Sequence, residues 1–313
     1  MKQLSRRNFI QLLSTGAAIT LTNPVFGKSA KSQQKPQLLQ KIIPSSQQPM
    51  TVIGMGSWQT FNVGSDSDLR DNRKEILDLF FRLGGQMVDS SPMYGSSQQV
   101  IGHGLKQLNH PQNLFSAEKV WTRDKSATRK QIQATSDAWQ VKNFDLIQIH
   151  NLVSWQEHLE VLKQMRQNDE LGYIGITTSH GRRHSDLEKV MATQPIDFVQ
   201  LTYNMVDREV EQRLLPLAQE KGIAVIANRP FQGGHLVNQL QRSQTPLPDF
   251  AKEIQCENWP QFLLKFIVSH PAVTCAIPAT TKLEHMQENM GAATGSLPNT
   301  VMRKQMLDYL RTI

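Results

Sequence analysis

The chain has 313 residues, with 34 Lys+Arg against 27 Asp+Glu and a formal net charge of +7. Seven of the basic side chains and none of the acidic ones lie in residues 1–50, which leaves 27 basic and 27 acidic groups from residue 51 onward. The excess charge therefore belongs to a leader, and a pI near 9.4 lends little support to a nucleic-acid role, which would need a basic folded face. Hydrophobic residues make up 39% of the chain, enough to bury a core, and the two cysteines, Cys256 and Cys275, lack the CxxC spacing of a metal cage.

The first segment reads as an address. A basic start, Met1 to Arg7, precedes a modestly apolar run from Phe9 to Leu21, which Asn23-Pro24 then breaks. The run is too short and too polar to span a bilayer. Ser5-Arg6-Arg7-Asn8-Phe9-Ile10 resembles the twin-arginine export signal S-R-R-x-F-[LI], which a receptor reads. That resemblance implies the twin-arginine export machinery as a partner, a periplasmic or exported location, and passage of the protein already folded. Residues 1–30 are expected to be the signal. Residues 31–50, rich in Gln, Ser, Lys and Pro, are expected to be a linker. The alternative is a basic tail on a cytosolic protein.

From residue 51, short apolar runs alternate with segments at helical spacing. Strands are expected at Thr51–Trp58, Gln86–Asp89, Leu114–Thr122, Phe144–Asn151, Tyr173–Thr178, Phe198–Asn204, Ile223–Pro230 and Thr274–Pro278. The intervening helices are expected at Asp68–Leu83, Gln98–Leu108, Thr128–Val141, Trp155–Asn168, Ser185–Ala192, Glu209–Lys221 and Trp259–Ser269. Lys221-Gly222 supplies a basic last turn and a glycine stop. Such alternation argues for parallel pairing through right-handed crossovers. Gly54-Met55-Gly56 opens no G-x-G-x-x-G loop, so a classical dinucleotide sheet is rejected. Equal spacing along the whole length favours a (β/α)8 TIM barrel over residues 51–313, with its chemistry at the C-terminal ends of the strands.

Three of those ends carry unusual polar residues. The second strand runs into Asp89-Ser90-Ser91-Pro92-Met93-Tyr94-Gly95, the third places Lys119 inside a strand-like run, and the fourth ends in Ile149-His150-Asn151. A lysine on the inner face of a barrel is unfavourable unless paired, and Asp89, one strand away, is the available partner. A cation beside Tyr94 is expected to lower the pKa of the phenol, which titrates near ~10 in water, and so to make it a general acid near neutrality. His150 on the next strand would orient a substrate oxygen. Together these form a proton donor aimed at a carbonyl. None of them can deliver a hydride, so a nicotinamide cofactor is required.

At this point the residues resemble the aldo-keto reductases, over roughly Thr51 to Ala293. The match to D-x-x-x-x-Y-G is Asp89 through Gly95, followed by Ser97, Ile101 and Gly102. The resemblance implies a carbonyl reductase with Tyr94 as acid/base, Lys119 and Asp89 tuning it, and His150 orienting the small-molecule carbonyl substrate. It implies an extended nicotinamide dinucleotide bound without a Rossmann fingerprint. For the cofactor it implies Thr177 and Thr178 where the family has Ser-Asn, Gln200 as partner of the carboxamide, and Asn228 where an aromatic usually stacks, followed by Arg229. Near the C-terminus, Thr280, Thr281, Lys282, Glu288 and Asn289 match the adenine-ribose segment. Ala279 and His285 replace the usual basic residues, so Lys282 is left to meet a 2′-phosphate. NADPH is expected, with NADH as the alternative. No metal, no membrane span in the mature protein and a monomeric state are expected. Phe231–Phe250 reads as a long loop able to cover the cofactor, and Trp58, Trp121, Trp155 and Phe231 as candidate pocket walls. Two other readings stand beside this one. One is a nicotinamide-binding sensor or partner subunit with little turnover. The other is a cofactor-free isomerase or lyase using Lys119 as a Schiff-base amine.

Overall fold

The computed structural model describes residues 37–313. The expected leader over residues 1–30 and the first part of the expected linker lie outside the described residues. The rest of that linker is a hairpin, β1 (Gln40–Ile42) and β2 (Pro49–Thr51), paired antiparallel. Gln40 and the turn residues 45–48 face solvent, while Ile43 and Met50, each 1% exposed, enter the barrel's inner core beside Met87, Ala117, Leu146 and Phe198. Lys41 Nζ fixes the hairpin by donating to the carbonyls of His270 and Val273, 2.6 Å each. A linker expectation for residues 37–50 is therefore corrected: this stretch plugs the N-terminal mouth of the barrel.

Eight parallel strands follow in chain order. They are β3 (Met55–Gly56), β4 (Met87–Asp89), β5 (Phe115–Val120), β6 (Phe144–Ile149), β7 (Leu171–Thr177), β8 (Phe198–Thr202), β9 (Ala224–Asn228) and β10 (Val273–Ala276). The first is shorter than the expected Thr51–Trp58 because Thr51 already belongs to β2. Closure comes from a parallel bridge between Ile53 and Ala276 and from the Gly54 and Gly56 amides. These donate to the Ala276 and Pro278 carbonyls at 2.9 and 3.0 Å. The result is the (β/α)8 barrel.

The strands alternate with α1 (Ser67–Arg82), α2 (Ser97–Gln107), α3 (Thr128–Trp139), α4 (Trp155–Gln167), α5 (His184–Thr193) and α6 (Leu214–Lys221). Between β9 and β10 run α7 (His235–Arg242) and α8 (Trp259–Val268). After β10 come α9 (Leu283–Gly291) and α10 (Thr300–Leu310). The expected helix from Glu209 divides into a 3-10 turn, Glu209–Glu211, and α6, which ends at Gly222 with φ +64°, as a glycine stop requires. The segment expected as an open loop after Phe231 instead contains α7. Leu236 and Leu240, one turn apart, are 5% and 3% exposed and hold the helix on the protein body.

Two apolar shells result. The larger lies between strands and helices, and the smaller fills the barrel. Among the described residues no helix is long and apolar enough to cross a membrane.

Candidate active site

Side chains alternate in and out along a strand, so each barrel strand presents inward residues two apart. On β4 these are Met87 and Asp89, on β5 Ala117 and Lys119, on β6 Leu146 and Gln148, on β8 Phe198 and Gln200. The first of each pair belongs to the inner apolar core. The second forms a polar layer above it, at the C-terminal ends. The strand period alone thus separates a stabilising floor from a reactive ceiling.

In that layer Lys119 Nζ lies 2.5 Å from Asp89 Oδ2 and 2.8 Å from the Ser90 carbonyl. The two side chains are 0% and 2% exposed. The other carboxylate oxygen, Asp89 Oδ1, accepts from Gln148 Nε2 and Gln200 Nε2, both at 2.9 Å. Gly175 on β7 makes room for this: a Cβ there would meet Gln148 Cγ at 2.9 Å. Burial is the largest single influence and works against the Lys119 ammonium, but Asp89, Tyr94 and Glu118 together outweigh it, and the pKa of Lys119 stands above its ordinary value. A buried, charged and doubly engaged lysine is a poor Schiff-base nucleophile, which argues against the cofactor-free reading.

Tyr94 is presented by a tight turn after β4. Its amide donates to the Ser91 carbonyl, its carbonyl accepts from Ser97, and Gly95 takes φ +62°. Lys119 Nζ sits 5.4 Å from the Tyr94 ring centroid. The expected fall in the phenol's pKa is corrected: burial raises it, and the charge of Lys119 opposes this without reversing it. Tyr94 is therefore neutral at pH 7.

His150 packs edge-on to Tyr94, ring centroids 5.7 Å apart, and its Nδ1 lies 2.6 Å from Ser91 Oγ. Burial first, and then the charge of Lys119, press its pKa down to about 3. It is a neutral imidazole in all ordinary conditions.

These residues open into a cavity of about 280 Å³. Its lining includes Asp89, Tyr94, His150, Thr177, Thr178, Gln200, Asn228 and Arg229 among the expected site residues, and Trp58 and Phe231 among the expected walls. Lys119 lies behind it, and Trp121 and Trp155 are not part of its lining. Thr280, Thr281, Lys282, Glu288 and Asn289 also lie outside it, on the segment after β10 that enters α9. Of these Lys282 is exposed and Asn289 is buried.

The cavity fits a nicotinamide carboxamide. Gln200 spends its Nε2 on Asp89 and Gln148 Oε1, so Oε1 is the atom left to accept an amide N–H. Thr177 Oγ1 accepts from the Asn151 amide at 3.0 Å. Asn228 is held by both ends: Oδ1 accepts from Thr202, and Nδ2 donates to the Thr178 carbonyl. It forms a flat polar wall of the cavity. Arg229, with φ +51°, brings its guanidinium beside Gly233.

Three residues escaped the sequence reading. Gln148 and Ser91 touch residues 59 positions away, although a lone Gln two places before His150 in an apolar strand was a visible signal. The third, Glu118, faces outward from β5 and is fully buried. Its Oε1 accepts from the Lys119 amide at 2.7 Å, just past the point where the β4 ladder ends. Burial raises its pKa to about 8, so it is a neutral acid bracing the strand that carries Lys119.

Comparison with known proteins agrees with this geometry. Methylglyoxal reductase YeaE of Escherichia coli is 24% identical over 250 residues, covering 77% of this chain and 84% of that protein. The NADH-specific methylglyoxal reductase of the same organism is 22% identical over 313 residues, covering 80% and 93%. Among solved structures, the holo form of an aldo-keto reductase from Bacillus halodurans superposes with a TM-score of 0.71 at 20% identity, covering 88% of this chain and 96% of that one. An aldo-keto reductase from Klebsiella pneumoniae in complex with NADPH gives 0.72 at 20% identity, covering 88% and 95%. The model of the Aldo/keto reductase family matches residues 52–305, and the chain belongs to that family of NAD(P)-dependent oxidoreductases.

Proposed function

We propose that this protein reduces a small aldehyde or ketone to the alcohol, reversibly, with Tyr94 as the proton donor. The observation that carries the reading is the assembly of a neutral Tyr94, the Lys119–Asp89 pair and a neutral His150 around one cavity. A bound nicotinamide dinucleotide supplies the hydride. Tyr94 gives its proton to the carbonyl oxygen, and the Lys119 ammonium stabilises the phenolate left behind. Asp89 keeps that ammonium paired throughout. His150 hydrogen-bonds the same oxygen and sets the carbonyl's orientation.

NADPH is the proposed cofactor. Gln200, Thr177, Thr178, Asn228 and Arg229 would hold its nicotinamide end, and Thr280, Thr281, Lys282, Glu288 and Asn289 its adenosine end. Lys282 precedes α9, where exposed backbone amides and a lysine suit a phosphate. NADH is the alternative, and the relative with NADH in its name supports keeping it in the test. Two relatives are named for methylglyoxal, and a cavity of about 280 Å³ suits a carbonyl compound of that size.

A screen of small 2-oxoaldehydes, aldehydes and ketones with each cofactor tests the reading. Turnover of at least one class is expected, fastest with NADPH. Saturable cofactor binding without turnover of any carbonyl would favour the sensor reading, which the Asn228 wall supports. We further propose delivery by the twin-arginine route. Changing Arg6 and Arg7 together to Lys should leave the protein in the cytoplasm, whereas unchanged export would sink that proposal.

A further inference from the structure

We infer that Ser91 is a positioning residue that fixes His150 as its Nε2–H tautomer, so that the ring offers the substrate oxygen a donor and not a lone pair. This deepens the carbonyl-reducing reading and rests on it. Both side chains are buried, at 0% and 5% exposure, and Ser91 Oγ lies 2.6 Å from His150 Nδ1. The same hydroxyl oxygen accepts from the Met93 amide at 3.2 Å. Among the described residues these are its two partners.

Proton bookkeeping then selects one arrangement. If Nδ1 carried the ring proton, it would donate to Ser91 Oγ, and the hydroxyl's own proton would be left unpaired in a fully buried position. If the hydroxyl donates to Nδ1, every group is satisfied. The ring proton must then sit on Nε2. His150 lines the cavity beside Tyr94, which leaves Nε2 as the ring atom for the substrate.

The choice matters because the carbonyl oxygen can only accept. A lone pair on Nε2 would repel it, whereas an N–H joins Tyr94 O–H as a second donor. Protonating the whole ring does not offer a way round, since burial and Lys119 keep it neutral down to about pH 3. The tautomer therefore has to be set by a neighbour, and Ser91 is the neighbour in contact.

Long-range proton–nitrogen spectra of the histidine rings in the 15N-labelled full chain test this, with His150 assigned from a His150→Gln variant. In the wild-type protein, Nε2 should appear protonated and Nδ1 unprotonated. Ser91→Ala should populate both tautomers and lower kcat/KM for carbonyl reduction about tenfold, the scale of one lost hydrogen bond, while NADPH affinity is unchanged. A protonated Nδ1 in the wild type would overturn the inference, as would a Ser91→Ala protein with unaltered ring signals and rate. The spectra need neither substrate nor cofactor. Failure of the wild-type enzyme to turn over any carbonyl would therefore strike the functional reading and leave the tautomer result standing.

Discussion

Gln148 reaches from β6 over β5 to donate its Nε2 to Asp89 Oδ1 on β4, 2.9 Å away. Gln200 makes the same contact from β8 at the same distance. One carboxylate is thus held by a lysine on one oxygen and by two amides on the other. This divides the work. Gln148 is buried and has no view of solvent, whereas Gln200 lines the cavity. Gln148 Oε1 also accepts from Gln200 Nε2 at 3.3 Å, so Gln148 and Asp89 together fix the Gln200 amide.

It follows that Gln148→Leu should weaken cofactor binding although Gln148 never meets the cofactor. Gln200 would lose one of the two acceptors that fix its Nε2, and its Oε1 would be held less firmly toward a carboxamide N–H. A neutral hydrogen bond contributes about 0.5–1.5 kcal/mol, so the dissociation constant for NADPH should rise roughly two- to tenfold by fluorescence titration. An unchanged constant would show that Gln148 only fills space.

The Lys119–Asp89 pair makes a separable prediction about stability. Lys119→Met strands a buried carboxylate and should cost about 3–5 kcal/mol, read as a lower midpoint in urea. Replacing both partners, Lys119→Met with Asp89→Leu, should recover much of that loss while turnover stays absent. If the double variant is as unstable as the single one, charge pairing is not what holds this layer together.

Glu118 gives a pH dependence with a definite sign. Its folded pKa of about 8 stands above the ordinary 4.5 because of burial, so between those values the folded chain holds a proton that the unfolded chain has lost. Stability from this group is fully present below about pH 4.5 and is lost as pH rises toward 8. His150 acts in the opposite sense: its folded pKa of about 3 lies below the ordinary 6.5, and stability falls as pH drops from 6.5 to 3. Thermal midpoints measured from pH 4.5 to 8 should decline less steeply in Glu118→Gln than in wild type. Parallel slopes would contradict the assignment.

Asp89, Tyr94, Lys119 and His150 were legible because a local motif names two of them and strand parity turns the other two inward. The eight strands were legible because both their faces are apolar. The hairpin Gln40–Thr51 was hidden by its composition, since two residues, Ile43 and Met50, do the burying amid polar neighbours. Helix α7 was hidden for the same reason, its apolar face amounting chiefly to Leu236 and Leu240. The direction of the Tyr94 shift was out of reach, because it is a balance between burial and Lys119 that only geometry decides. Contacts such as Ser91 with His150 join positions 59 apart, and no periodicity reports them.

The proposed mechanism turns on the proton that Tyr94 supplies. The most direct measurement is single-turnover oxidation of bound NADPH in a Tyr94→Phe variant, with the carbonyl the wild-type enzyme reduces fastest. Cofactor affinity is expected within about twofold of wild type, and the rate lowered at least about 100-fold, the scale of general acid catalysis. A Tyr94→Phe enzyme that oxidises its cofactor at the wild-type rate would contradict that mechanism.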